Sequence, residues 1–410
     1  MVTGDETKVR PAGSSEGRAT ATARGTKTAA VVRFGASWEA ATDAVLAELE
    51  PGEAPELGLV FIDSRFGAHY DEVLARLRAG SGVRHLVGAS GQGVIGTGIE
   101  AEAKPAVSLL TLSLPQLRVT TIALASSEDV GPAVDALPAE RPQSWLLFVD
   151  PFRVDAEALL HAVKERTQQV PVVGGMASAH HARGGTAVFA DGAVHAGVAV
   201  LVGLSGDFAL HTVVAQGAEP IGQPWTITEC DGNVVRKLGT RPALEVLQAT
   251  LGALDVGTRE RAQRNLLVGL ATDEYRHQHG RGDFLIRNVV GGDRATGAIT
   301  INAPARLGQT FQFQFRDAAA ADEDLRDHLS QFQSRLPRGE AVVGALICAC
   351  NGRGQGLFGV PNHDAQMLAE FLGPIPAAGL FCSGEIGPVA GSTFLHGFTA
   401  SIAVLTARGR

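Results

Sequence analysis

Near its C-terminus the chain reads LFCSGEIGPVAGSTFLHGF, which sets Cys382, Ser383, Gly384, Glu385 and His396 in a glycine-rich stretch between two apolar runs. Two chemistries fit these residue types. A thiol, an imidazole base and a carboxylate that orients the base form a nucleophilic set, so Cys382, His396 and Glu385 could serve a cysteine hydrolase or acyl-transfer enzyme. Against that reading, Cys382 ends an apolar strand, where free cysteines are commonly inert, and no nucleophile elbow frames it. The other chemistry is a ligand cradle. Glu385 then holds an ammonium group, Ser383 and the turn amides orient the ligand, and Cys350 and Cys382 line the wall. A carboxylate would be forked by Arg287 of DFLIRNVV or by Arg353 of CNGRG, where Asn351 stands nearby.

Other motifs are less specific. GQGVIG, Gly91 to Gly96, has the spacing of a dinucleotide turn but leads into strand-like residues where a helix should open. GQGLFG, Gly354 to Gly359, is followed by a helical pattern from about Asn362. Cys348-x-Cys350 and His180-His181 lack the second pair that a tetrahedral metal site needs, so neither metal nor cofactor is expected.

The elements that must position these residues repeat. LGLVFID, YDEVLARLRAG and RHLVGAS read as strand, helix and strand; WLLFVDPF, DAEALLHAVKERTQQ and VPVVGGMAS repeat the order, as do AVVGALICAC, HDAQMLAEFLG and AAGLFCSG. Each copy delivers the chain into a turn of Gly, Ala and Ser, which places Ser90, Gly91 and Ser178 beside the C-terminal turn as candidate ligand contacts. ADGAVH predicts a hairpin with Asp191 and Gly192 at its tip. The fold expected is α/β, in two related lobes, each a mixed sheet with helices, built from repeated strand-helix-strand-glycine-turn units. The expected divisions are a disordered tail over 1–28, poor in large apolar residues, a first domain over 29–220 and a second over 221–410.

With 45% hydrophobic residues among 410, the chain can bury a large core, and 35 Lys+Arg against 43 Asp+Glu leave a net charge of -8 with no basic run for nucleic acid. No apolar stretch approaches the ~20 residues of a membrane helix. Four cysteines and no secretory leader point to a reducing, cytoplasmic setting.

The motifs LVGASGQGVIGTGIEAE, VVGGMAS, AQGAEPIGQPWTITECDGNVV, DFLIRNVVGGDRATGAI and GQTFQFQFRDA, and above all FCSGEIGPVAGSTFLHGFTA, resemble the FIST family, with its N-terminal and C-terminal FIST domains. Ala89 and Ala218 stand where similar sequences often carry a cysteine. The resemblance implies a sensory module for a small ligand, of the amino-acid class, in bacterial signal transduction. It implies no catalytic residue. The chain carries no kinase, cyclase or F-box pattern, so output through a separate signalling protein is expected. The cysteine enzyme and a pure protein-interaction scaffold remain the alternatives.

Overall fold

Three times the chain runs the same course, and the computed structural model shows how the copies join. It describes residues 17–408 apart from 24, 51, 138–140, 168–169, 182–184, 196–197, 275 and 277–278. Each unit begins with an outer strand (Thr26–Phe34, Arg118–Leu124 or Ala209–Gln216) and a first helix (Trp38–Ala47, Val130–Asp135 or Ala318–Arg335). A leading strand follows (Leu57–Asp63, Ser144–Val149 or Glu340–Cys350), then a second helix (Tyr70–Ser81, Ala156–Thr167 or His363–Leu372). An inner strand parallel to the leading strand comes next (His85–Gly91, Val172–Met176 or Ala377–Cys382). After the glycine turn comes a hairpin (Val94–Gly96 with Ile99–Ala101, Val188–Ala190 with Ala193–His195, or Glu385–Val389 with Ser392–His396). A returning strand closes the unit (Ala106–Ser113, Ala199–Ser205 or Thr399–Arg408), antiparallel to both its leading and outer strands.

Local chemistry explains the elements. In the second helix of unit one, Asp71 and Glu72 sit in the first turn, where the helix dipole favours acids, and Gly82 ends it at φ 65°. Its Val73, Leu74 and Leu77 form the buried face. The expected hairpin forms at Asp191-Gly192, both at positive φ, as a two-residue primed turn requires.

No hairpin stays in its own sheet. That of unit one pairs with the inner strand of unit three, that of unit three with unit two, and that of unit two with unit one. The register is equivalent at all three joints: Gly88 faces Phe189, Gly174 faces Ile386 and Gly379 faces Ile95. These glycines also press on the carbonyls of the leading-strand partners Val60, Leu147 and Ile347, whose oxygens a Cβ would overlap. The result is a cyclic exchange of hairpins around one core, where Leu59, Leu110, Leu146, Leu346 and Leu380 meet and Phe61 packs edge-on to Phe148 at 5.7 Å.

Between the outer strand and first helix of unit three lies a fourth sheet, of strands Ala218–Pro220, Trp225–Asp231, Val234–Leu238, Arg241–Pro242, Leu266–Ala271, Phe284–Asp293, Ala298–Ile301 and Thr310–Arg316, with helices Ala243–Ala253 and Val256–Arg264. Phe311, Phe313 and Phe315 fill its core. The chain is thus mixed α/β, with several mixed sheets, helices and a two-lobe organisation. The expected tail is corrected in part. Arg18–Ala23 is a strand antiparallel to Thr26–Phe34, because alternate small residues suffice for an edge that pairs by backbone; residues 1–16 lie outside those described.

Candidate functional site

The glycine turns interlock. Ser178 donates its N–H to Ser90 C=O and Ser383 its N–H to Met176 C=O, both at 3.1 Å, at equivalent places in successive units. At the third joint the Ser178 hydroxyl bridges: it accepts the Gln92 N–H at 2.6 Å and donates to Phe381 C=O at 2.6 Å. Phe381 N–H to Gly93 C=O and Met176 N–H to Gly384 C=O add two more links. Ser90 Oγ is engaged as well, donating to Ser178 C=O and accepting the Ala187 N–H. Ser90, Gly91, Ser178 and Gly384 are therefore buried parts of a hub whose polar atoms answer one another.

What differs among the units is the end of the leading strand. Three residues beyond the carbonyl that each glycine covers stand Asp63, Asp150 and Cys350. Asp63 is buried, accepts the Arg65 N–H and holds the Arg65 guanidinium at 2.8 and 2.6 Å. Asp150 is buried too; it accepts the Phe152 N–H and the Thr186 hydroxyl and lies 3.2 Å from Arg153. In both units an aspartate closes the strand end and neutralises the nearby arginine. Unit three has a thiol instead, and its own Arg353 turns away to Asp364, at 2.6 and 2.9 Å, with both side chains fully buried. That leaves the strand end without an acid.

A different guanidinium occupies the space. Arg316, the last residue of Thr310–Arg316, lies against Gly352, where a Cβ would collide with it, and over the Phe398 ring at 5.1 Å. Its Nε and Nη2 are buried without a hydrogen-bond partner among the described residues, and burial lowers its basicity. The adjacent Asp317 is engaged elsewhere, with Arg261 at 2.6 Å and the Ala320 N–H at the start of the helix. Nearby, Arg353 Nη1 and Asn351 Oδ1 are likewise buried and unpartnered. Arg316, Gly352, Arg261, Asn265, Asp317 and Leu357 line an open pocket of about 480 Å³. A larger pocket of about 650 Å³, beside Gly25, Phe208 and Thr406, contains none of the unpartnered atoms.

The candidate residues distribute around this point. Asn351 is half-buried, donates its N–H to Cys382 C=O at 2.9 Å and reaches the exposed Ser383 hydroxyl at 3.5 Å; Cys350 is half-buried. Burial, reinforced by Glu385, pushes the Cys350 thiol up to about 11. Glu385 is fully buried, accepts the Thr399 N–H at 3.0 Å and lies 3.4 Å from Cys382 Sγ. Burial raises its carboxyl to about 8, which disfavours the charge expected to hold an ammonium.

Two expectations need correction. Cys382 is fully buried, with Sγ on Ala349 C=O at 3.3 Å and on Glu385, and burial raises it well above an ordinary thiol. His396 turns Nε2 to Gly387 C=O at 2.9 Å, and burial lowers it to about 4. Cys382 Sγ contacts Ala349 C=O and Glu385 while His396 Nδ1 is buried without a partner among the described residues, so no hydrogen bond joins the two as a nucleophile and its base. Both arginines expected to fork a carboxylate already have acidic partners. Arg353 is saturated on one side by Asp364, and Arg287 is buried against Glu157 at 3.2 Å and Leu395 C=O at 3.2 Å. In sequence, Arg316 is marked only by its position after the three alternating aromatics of TFQFQFRD, a pattern that reads as a core strand. Among the described residues no His, Cys, Asp and Glu group is arranged to hold a metal.

Comparison with known proteins places these features. Residues 56–241 match the FIST N domain and residues 243–388 the FIST C domain. An uncharacterised protein of Mycobacterium tuberculosis is 38% identical over 358 residues, 86% of this chain and 92% of that one. One of Mycobacterium bovis is 38% identical over 364 residues, covering 86% and 91%. An F-box/LRR-repeat protein of Arabidopsis thaliana is 30% identical over 105 residues, 25% of this chain and 20% of its own. A cyanuric acid hydrolase from A. caulinodans aligns over 93% of this chain and 99% of its own with a TM-score of 0.35 and 10% identity. With both domain models matched in order over most of its length, the chain belongs to the FIST family.

Proposed function

We propose that this protein senses a small carboxylate-bearing molecule, of the amino-acid class, at the open end of unit three. The observation that carries this reading is the missing aspartate. Two of three equivalent strand ends supply their own carboxylate to a guanidinium, and the third leaves Arg316 without one. An uncompensated, partly desolvated cation costs several kcal/mol unless an anion arrives, and a guanidinium fork matches a carboxylate in shape. The ligand carboxylate takes the place that Asp63 and Asp150 fill in their units. Its ammonium group faces Asn351 Oδ1, with the Ser383 hydroxyl 3.5 Å from the Asn351 amide. FIST domains are associated with sensory and signalling roles, which fits a binding site whose output passes to a separate protein in the cytoplasm. No helix among the described residues is long and apolar enough to cross a membrane.

The test is a thermal-shift and calorimetric screen of the twenty amino acids, with matched amines lacking the carboxylate. A ligand at about 100 times its Kd adds ~2.7 kcal/mol of stability. Binding is expected for at least one amino acid, for none of the amines, and to be lost in Arg316→Ala. Undiminished binding by Arg316→Ala, or no binder in the panel, overturns the reading.

A further inference from the structure

Three of the four cysteines gather in unit three. Cys350 of the leading strand and Cys382 of the inner strand are direct register partners, and Cys348, two residues back on the same face as Cys350, is opposite Leu380. Neighbouring strands run about 4.8 Å apart, within the roughly 4.4–6.8 Å between Cα atoms that a disulfide spans. Partners in parallel register send their side chains to the same face. The equivalent inner-strand positions in units one and two are Gly91 and Ala177, opposite or beside Asp63 and Asp150, so the repeat itself has no need of sulfur there. Access differs among the thiols: Cys348 and Cys382 are fully buried, whereas Cys350 is half-buried, two residues before Gly352 of the open pocket.

We propose that Cys350 and Cys382 are a reversible oxidation site, in which a hydroperoxide converts the two thiols into an intramolecular disulfide joining the leading and inner strands. The peroxide's O–O bond breaks as the Cys350 sulfur takes one oxygen, giving a sulfenic acid and an alcohol, or water from hydrogen peroxide. The Cys382 sulfur then attacks the Cys350 sulfur; the S–O bond breaks, and hydroxide leaves with the Cys382 proton as water. One peroxide is reduced and two thiols are oxidised, and a dithiol reverses the change by exchange. Burial raises both thiols, which slows alkylation and peroxide attack alike, so oxidation proceeds through the small thiolate fraction of Cys350, the less buried of the two. Tying Cys350 to the inner strand reshapes the strand end beside Arg316, so oxidation weakens ligand binding; that consequence rests on the ligand reading above, but the bond itself does not.

Native protein is treated with hydrogen peroxide, alkylated, and digested without reduction. A Cys350–Cys382 cross-linked peptide is expected that dithiothreitol removes, that persists in Cys348→Ala and that is missing from Cys350→Ser. Circular dichroism confirms that both variants are folded. If Cys350→Ser loses the fold, the Cys348→Ala protein still decides, because its cross-link can form only with Cys350 or Cys230. A linkage through Cys348 or Cys230, overoxidation of Cys350 beside a reduced Cys382, or two unmodified thiols overturns the proposal. Because the readout is a peptide mass, these outcomes are independent of whether any amino acid binds.

Discussion

Cys350 stands where the other two units place an aspartate, and that single difference makes a sharp experiment. Cys350→Asp is expected to give Arg316 the carboxylate it lacks, raising stability by about 1 kcal/mol through a charge-assisted contact while abolishing the ligand-induced thermal shift. A rise in the melting midpoint together with loss of the shift is the signature sought; a retained shift would place the ligand elsewhere. Glu385 offers a test by pH. Its folded carboxyl sits at about 8 against an ordinary 4.5, so between those values the folded protein keeps a proton that the unfolded chain has released. Stability is full below the ordinary value and falls as pH rises toward 8. Glu100, buried and also raised to about 8, contributes the same slope. Glu385→Gln is expected to make the decline shallower, since the amide oxygen can still accept from Thr399 while the Cys382 thiol donates to Ala349. Urea unfolding at several pH values reads this directly.

At the scale of elements, the strand-helix-strand copies were legible because each carries its own apolar period and its own turn of small residues. The partner of each hairpin was not. Gly88, Gly174 and Gly379 look like any strand glycine in sequence, and only the neighbouring carbonyl shows why a side chain is excluded. Gly174→Ala is expected to destabilise by about 3 kcal/mol or more, because the clash is with backbone rather than with a side chain that can turn. By contrast Gly391, with open space around it, should accept alanine more cheaply even at φ 80°, so the two variants separate crowding from backbone angle in the same urea experiment. The candidate site divides similarly. The closeness of Cys382 and Glu385 followed from sequence spacing, whereas the unpartnered state of Arg316 depends on Asp317 pairing with Arg261 instead, and that choice is long-range.

For the whole molecule, cyclic exchange means that no unit completes its own sheet. A fragment ending at 241, the limit of the FIST N match, keeps the leading and inner strands of units one and two but loses Glu385–Val389 from the edge of Val172–Met176. It also leaves Val94–Gly96 without Ala377–Cys382. This fragment is expected to lack a cooperative transition, while the full chain melts as one, with Trp145 in unit two and Trp225 in the insert reporting coincident midpoints by fluorescence of single-tryptophan variants. Separate midpoints would show that the lobes are energetically independent despite their shared strands.

The same exchange bears on how the protein is made. Residues 385–408 supply an edge to the sheet of unit two and the central returning strand of unit three. Two of the four sheets therefore stay incomplete until residues 385–408 are in place. Native pairing is dominated by contacts distant in sequence, the class that folds slowly and exposes strand edges meanwhile. Translation produces a nascent chain with two unfinished edges, and chaperone demand should peak while residues 385–408 are still missing.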